Sequence, residues 1–163
     1  MYKRQVSAAL ATPSLFAVPT VIHIASSNGD RGPTQTAISK LLATNGAWTF
    51  QGTSGASSNV LGATNAIASN YGVWNGTYNG VNVVIKTSYL GALGAIATVA
   101  GNTTIRYVVG DGTGSATLSD PNLGTTEGTD YELSTADFGF STNFQSTSPF
   151  QGCLLYTSDA ADD

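Results

Sequence analysis

The spacing of hydrophobic residues changes within one short stretch of the chain, Val81 to Gly101. Val81–Ile85 is a β-branched run of strand length, and apolar residues recur at helical spacing from Leu90 to Ala100. Between them, Thr87-Ser88 offers a hydroxyl N-cap and Gly91 allows close approach to the backbone. The pattern predicts strand, turn and helix. The helix N-terminus would either hold an anion through its unpaired amides or simply be an empty, capped end.

The same order of elements is predicted earlier in the chain. Thr20–Ile24 has the apolar pattern of a strand, and Thr34–Thr44 has apolar residues at helical spacing. The polar loop between them ends at Pro33, a residue favoured at the first helical position. Arg31 in this loop is either a solvated turn arginine or an anion contact.

The remaining pattern predicts shorter elements and one long loop. Gly110–Asp130 is rich in Gly, Thr, Ser and Asp, and it precedes no apolar helix, so it is not a dinucleotide or phosphate loop. Its aspartates Asp111, Asp120 and Asp130 lack the regular spacing of a calcium loop. The other predicted elements are a strand over Ala47–Gln51, a weak helix over Asn59–Asn70, a hairpin over Tyr71–Gly80 with turns at Asn75-Gly76 and Asn79-Gly80, a strand over Thr104–Val109 and a short strand within Ala136–Thr142.

The two ends of the chain do not read as parts of a domain. Met1–Gln5 can be back-translated to a DNA string whose reverse complement, read in a shifted frame, encodes the Cys153–Thr157 pentapeptide. Residues 1–5 and 153–163 are therefore interpreted as translated arms of a sequencing adapter. The uncharged apolar stretch that follows, within residues 6–19, is interpreted as the remnant of a secretory signal. Residues 20–152 remain as the domain.

Composition narrows the classes of partner. The net charge is -4, and without the adapter-like ends 4 basic and 7 acidic residues remain. So few cations disfavour nucleic acid and anionic membranes as partners. The single cysteine, Cys153, lies in an adapter-like end, which excludes disulfides within the domain. With 10% charged residues and many Gly, Ser, Thr and Asn, the chain suits a periplasmic or extracellular location.

Catalytic chemistry finds little support in the sequence. His23 is the only histidine, and no cysteine or paired carboxylate lies near it in sequence. A lone histidine on a strand is more often part of the core or surface than a ligand, so we predict no catalytic residue, metal or cofactor. The residues therefore provide little support for a hydrolase.

The strand, small-residue turn and helix, followed by the segment ADFG-x-S at Ala136–Ser141, resemble the N-terminal lobe of type II periplasmic solute-binding proteins, in particular the phosphate-binding proteins of ABC transporters. The chain departs from the family pattern at Thr87, where the first glycine of the turn is expected, and at Thr142, where an aspartate is expected. By position, the resemblance implies these ligand-binding residues: Ser26, Ser27, Asn28, Arg31, Ser88, Tyr89, Gly91, Ser141 and Thr142.

The resemblance also implies a fold and partners. We expect an α/β lobe with helices on both faces of a short mixed sheet and ligand groups at the carboxyl ends of the strands. The implied partners are a small oxyanion such as phosphate, a C-terminal lobe of the same chain and an ABC permease, with no membrane span. The alternative is a surface adhesin or glycan-binding module. It would be a β-sandwich that stacks sugars on Trp48, Tyr71, Trp74 and Tyr78.

Overall fold

A computed structural model describes residues 18–53, 59–61, 69–101, 103–113 and 118–142. Both adapter-like ends and nearly all of the signal-like segment lie outside these residues. The described elements are strands β1 (Thr20–Ser26), β2 (Thr49–Thr53), β3 (Asn59–Leu61), β4 (Tyr71–Tyr78), β5 (Val81–Ser88), β6 (Ile105–Tyr107), β7 (Glu132–Ser134) and β8 (Phe138–Phe140), and helices α1 (Arg31–Ala43) and α2 (Ala92–Val99).

A six-stranded mixed sheet in the order β3-β2-β4-β5-β1-β8 forms the centre of the fold. Strand β1 pairs in parallel with β5 on one side and with β8 on the other. The pairs β2–β3, β2–β4 and β4–β5 are antiparallel, and β6 and β7 form a separate two-stranded sheet. Strands combined with helices confirm the predicted α/β class.

The turn between β4 and β5 is the predicted hairpin turn. Asn79 and Gly80 have φ values of 48° and 79°. Positive φ at both central residues is the conformation of a type I′ turn, whose twist matches that of the strands it joins. The turn fixes the register from Tyr78 opposite Val81 to Tyr71 opposite Ser88.

Each face of the main sheet is covered by one helix. On the first face, Ile38 and Leu42 of α1 pack against Trp74 and Ile85. Trp74 also donates a hydrogen bond from Nε1 to Oε1 of Gln35 at 2.8 Å, so the buried indole N–H is paired. On the second face, Ala25 of β1 packs with Ala95 and Val99 of α2 and with Ile105, Tyr107 and Ala136.

Several details of the sequence prediction are wrong. Asn75-Gly76, predicted as a turn, lies within β4, where it pairs with Val84 and Val83 of β5. Asn59–Leu61 is strand β3, paired with β2, and not the start of a helix. The hydroxyl residue Ser88 belongs to β5, and Gly91 is the N-cap of α2, without a side-chain cap. Pairing with β1 extends β5 as far as Ser88, where local propensity had indicated a turn.

Helix α1 begins earlier than predicted, at Arg31, so Pro33 is its third residue. Proline is tolerated there because first-turn amides have no partner within the helix. None of the helices in the described part of the chain is long and apolar enough to cross a membrane.

Candidate functional site

The carboxyl ends of β1, β5 and β8 lie side by side at one edge of the main sheet, which we call the strand-end edge. Parallel pairing places Ala25 beside Ser88 and Ser26 beside Phe140. Two backbone hydrogen bonds extend this contact beyond the strands, from Ser27 N to Phe140 O at 3.0 Å and from Gly91 N to Ser26 O at 3.4 Å. Chain segments far apart in sequence therefore meet at this edge.

Both helices begin at the strand-end edge. The N-caps are Asp30 for α1 and Gly91 for α2, and neither makes a side-chain capping hydrogen bond. Gly91 has a φ of 106°, a conformation that L side chains rarely adopt. No side chain therefore caps the first-turn amides at either helix start. Uncapped amides at a helix N-terminus favour the binding of an anion.

Ser27 and Asp30 form a closed contact at the start of α1. Ser27 Oγ donates to Asp30 Oδ2 at 2.5 Å and accepts from the backbone N of Asp30 at 3.3 Å. The Ser27 hydroxyl proton is therefore directed to a carboxylate. Asp30 is a member of the site that the sequence analysis missed, although its position one residue before Arg31 is a typical N-cap position.

Arg31 is fixed across the edge. Its Nη1 donates to Oδ1 of Asn70. Asn70 in turn donates from its backbone N to Thr53 O at 2.7 Å and accepts from Tyr89 N at 2.9 Å. Arg31 is half-buried, so its charge lies inside the edge and not in open solvent.

The hydroxyls of Ser26, Ser88 and Tyr89, at the ends of β1 and β5, are buried, and that of Ser26 has no hydrogen-bond partner. The Ser88 hydroxyl interacts with that of Tyr71, and the Tyr89 hydroxyl interacts with those of Thr87 and Thr34. Buried polar groups are nearly always paired, so an unpaired one indicates a missing partner or a functional role. Burial raises the pKa of Tyr89 well above its ordinary value, and Arg31 and Asp30 lie within electrostatic range of its phenolic oxygen. The phenol is therefore neutral at pH 7 and available as a donor.

The structure brings only part of the predicted set together. Side chains alternate along a strand, so Ser88, which pairs with Ala25, faces α2, whereas Ser26 faces α1. The α1 side of the edge thus holds Ser26, Ser27, Asn28, Arg31 and Tyr89, which we call the α1-side site. Asn28 is exposed within it, and its carbonyl accepts from Arg31 N at 3.4 Å.

The last two predicted residues, Ser141 and Thr142, directly follow β8. Thr142 is exposed and lies near the α1-side site, since a Cβ placed on Gly29 would be 3.8 Å from its Cγ2 atom. Ser141 is half-buried and already interacts with other groups of the chain. Both residues are therefore at the rim of the strand-end edge.

A groove of about 450 Å³ opens beside the α1-side site. Asp30 and Thr34 supply its polar atoms at the helix start, and the rest of its lining is apolar. The apolar lining residues are Ile24, Pro33, Ala37, Ile38, Leu41 and Phe140.

A charged cluster that the sequence analysis missed lies on the α2 face. Lys86 is 4% exposed, and its Nζ donates to Glu132 Oε2 at 2.5 Å and to Val108 O at 3.0 Å. The other oxygen of Glu132 lies 3.0 Å from His23 Nε2, and His23 N donates to Asp137 Oδ2 at 2.8 Å. No local pattern in the sequence indicated this cluster, because His23 and Glu132 are 109 residues apart.

The charge of Glu132 is stabilised by its neighbours. Partial burial raises its pKa. Hydrogen bonds from His23 and Lys86 and the charge of Lys86 together lower the pKa by a larger amount, so the net shift is downward. Glu132 thus serves as the counter-ion of a buried lysine. The cluster connects β7 to β1 and β5.

Comparison of the chain with protein-family models, curated proteins and solved structures finds no match. Within the described residues, no group of three or more His, Cys, Asp or Glu side chains is arranged to hold a metal ion.

Proposed function

We propose that the chain is part of a secreted or periplasmic solute-binding protein that holds a small oxyanion such as phosphate at the α1-side site and passes it to an ABC permease. In this proposal the protein binds its solute and performs no catalysis. Ligand contacts come from hydroxyls, backbone amides at a helix start and one guanidinium.

The observation that carries the proposal is the grouping, at the end of β1 and the start of α1, of the partnerless Ser26 hydroxyl with the Tyr89 phenol, which lies within electrostatic range of Arg31. An oxyanion accepts several hydrogen bonds, so it is a suitable partner for neutral hydroxyl donors close to a fixed positive charge. The start of α1 adds amides of the same polarity.

Asp30 indicates which kind of oxyanion the proposed site would favour. A carboxylate next to the ligand accepts a hydrogen bond from an oxyanion that still carries a proton, and it repels one that carries none. At neutral pH, phosphate retains a proton and sulfate does not. Asp30 therefore supports a protonated oxyanion as the solute.

The adhesin alternative is less well supported. Tyr71 and Trp74 are fully buried, and Trp48 packs partly buried against the core, so these rings lack the open faces on which sugars stack. Tyr78 is exposed, but it stands at the end of β4, next to the hairpin turn. Helices cover both faces of a single main sheet, which differs from the two packed sheets of a β-sandwich.

Titration of the full chain with phosphate, followed by amide chemical shifts, tests this function. We expect saturable shifts at Asn28 and Arg31, with a dissociation constant on the order of millimolar, because the edge is open to solvent on one side. Tyr89→Phe removes a single hydroxyl and should weaken binding about five- to tenfold.

Tyr78→Phe is the matched control, because it removes an exposed hydroxyl at the far end of β4, and it should leave phosphate binding unchanged. Equal binding by the wild type and Tyr89→Phe, or phosphate-induced shifts confined to other parts of the chain, would refute the proposed site.

A further inference from the structure

A second cavity, of about 270 Å³, lies in the loop between β6 and β7. Its walls combine two leucines with two carboxylates, and we call it the loop cavity. The lining residues are Leu118, Ser119, Asp120, Leu123, Gly124 and Asp130.

Asp120 is the anomaly in this cavity. It is only 9% exposed; its Oδ1 accepts from Asn122 N at 2.9 Å, whereas its Oδ2 is buried and has no hydrogen-bond partner. A buried carboxylate oxygen without a donor is unfavourable, because the folded chain does not replace the hydrogen bonds that water would make to it. The Asp120 carboxylate thus lines the cavity with part of its hydrogen-bonding capacity unmet.

The one nearby arginine does not serve as that donor. Arg106 Nη1 donates to the carbonyls of Pro121 at 2.7 Å and Gly124 at 3.1 Å, and its guanidinium stacks over Tyr131 at 3.9 Å from the ring centre. None of the ion pairs between described residues involves Asp120. The guanidinium is therefore committed to the loop backbone.

Asp130 makes the cavity doubly acidic. Its Oδ2 accepts from the backbone N of Thr125 at 2.9 Å and of Thr126 at 3.0 Å. These bonds to the charged form lower the pKa of Asp130 below its ordinary value. Gly124 is needed at the opposite wall, because a Cβ there would collide with the Cβ of Asp130.

The loop that forms the cavity is held firmly against the main sheet. Tyr71, which is fully buried, donates from its hydroxyl to Oδ1 of Asn122 at 2.7 Å. Burial, followed by the charge of Asp120, raises the pKa of Tyr71 to about 12, so this hydroxyl stays a donor. The Asp120 carboxylate is thus fixed in place before any ligand arrives, which favours binding.

We propose that the loop cavity binds a small organic ammonium compound, whose charged N–H groups donate to the carboxylates of Asp120 and Asp130 that line the cavity and whose apolar part contacts Leu118 and Leu123. A cation matches the two carboxylates, and the leucines match a carbon chain. A metal ion fits less well, because the carbonyls of Pro121 and Gly124 already accept from Arg106. The described residues also offer no third acidic, histidine or cysteine ligand in a suitable arrangement.

The probe for this proposal is n-butylammonium, titrated into the full chain while amide shifts are recorded. We expect saturable shifts at Asn122, Leu123 and Gly124. Asp120→Asn should weaken binding at least tenfold, because it keeps the Oδ1 contact to Asn122 but removes the charge. Asp111→Asn, at an exposed aspartate outside the cavity lining, is the matched control and should bind as the wild type does.

Three further measurements complete the test. Tetramethylammonium, which has the charge but no N–H donor, should bind at least tenfold more weakly than n-butylammonium. Leu123→Ser should weaken n-butylammonium binding several-fold. Leu123 is 71% exposed, so this variant should fold as the wild type does. It is therefore the variant to measure if Asp120→Asn does not fold. Tyr89→Phe should leave n-butylammonium binding unchanged, which separates this site from the α1-side site.

The proposal is overturned if n-butylammonium gives no saturable shifts, or if Asp120→Asn, or Leu123→Ser in its place, binds it as the wild type does. Saturation of the same amides by Ca²⁺ alone, without an effect of n-butylammonium, would identify a metal site instead and would equally overturn it.

Discussion

The guanidinium of Arg31 donates a hydrogen bond to the side chain of Asn70, a residue 39 positions further along the chain. The backbone of Asn70 is itself paired with Thr53 and Tyr89, so one asparagine connects the start of α1 to the ends of β2 and β5. The sequence left open whether Arg31 was a solvated turn residue. Its contact with Asn70 directs it across the strand-end edge.

Asn70→Ala should destabilise the protein by about 1 kcal/mol, because it removes a side-chain hydrogen bond to a charged donor but leaves both backbone bonds in place. Urea denaturation measures the change. Asn82→Ala, at an exposed position of β5, is the matched control and should change stability by less than about 0.5 kcal/mol. Equal effects of the two substitutions would mean that the Arg31–Asn70 contact contributes nothing specific.

Glu132→Gln should destabilise the protein by about 2 kcal/mol. The substitution leaves the buried ammonium of Lys86 without its counter-ion, and Glu132 is 31% exposed, so water compensates only in part. Glu127→Gln, at an exposed glutamate, is the control and should be nearly neutral. A neutral Glu132→Gln would show that Val108 O and solvent suffice for Lys86.

Acid should remove the contribution of Glu132. Its pKa in the folded state is below the ordinary value of 4.5, so its stabilisation is complete above about pH 4.5 and is lost as the pH falls through the folded-state pKa. The stability difference between wild type and Glu132→Gln, measured by denaturation at several pH values, should therefore shrink below pH 4.5. A constant difference down to pH 2 would contradict this assignment of the shift.

Two glycine substitutions should act in opposite directions. A Cβ on Gly72 would lie 2.6 Å from Cε2 of Phe50, inside a packed core, so Gly72→Ala should destabilise by about 1–3 kcal/mol. Gly94 lies within α2, where the nearest atom to a Cβ is Leu90 Cβ at 3.8 Å, so Gly94→Ala should stabilise by about 0.5–1 kcal/mol. If the thermal midpoints of both variants moved in the same direction, either the tight packing at Gly72 or the open space at Gly94 would be wrong.

Thr142→Asp should raise the preference for phosphate over sulfate, if the proposed function holds. A second carboxylate at the rim would accept from protonated phosphate and repel sulfate more strongly than the neutral Thr142 hydroxyl. Calorimetric titration with both anions, on wild type and variant, measures the ratio of affinities. Thr142→Asn adds no charge and should leave the ratio unchanged, and an unchanged ratio in Thr142→Asp would remove Thr142 from the site.

The sequence predicted those parts of the fold that depend on local signals. The Asn79-Gly80 turn, the β-branched run of β5 and the helical spacing of α1 each determine a short segment, and each element is present. Prediction was wrong where pairing between distant strands decides the structure. Asn59–Leu61 is a strand because it pairs with β2, although its own spacing indicated a weak helix.

The candidate site was predictable to the level of strand ends but not to that of side chains. Sequence spacing placed hydroxyl residues at the ends of β1 and β5, but only the register shows that Ser26 and Ser88 face opposite sides of the sheet. The contact of Ser27 with Asp30 and the cluster of Lys86, Glu132 and His23 depend on three-dimensional packing, so no local pattern indicated them.

The position of β1 between β5 and β8 has a kinetic consequence. His23 of β1 bonds to Asp137, just before β8, across 114 residues of chain, so one side of β1 stays unpaired until β8 has been synthesised. At the usual rates of translation, of roughly 5–20 residues per second, that wait is on the order of ten seconds. During this time β1 would present an unpaired edge, and closure of such a long loop makes folding slow.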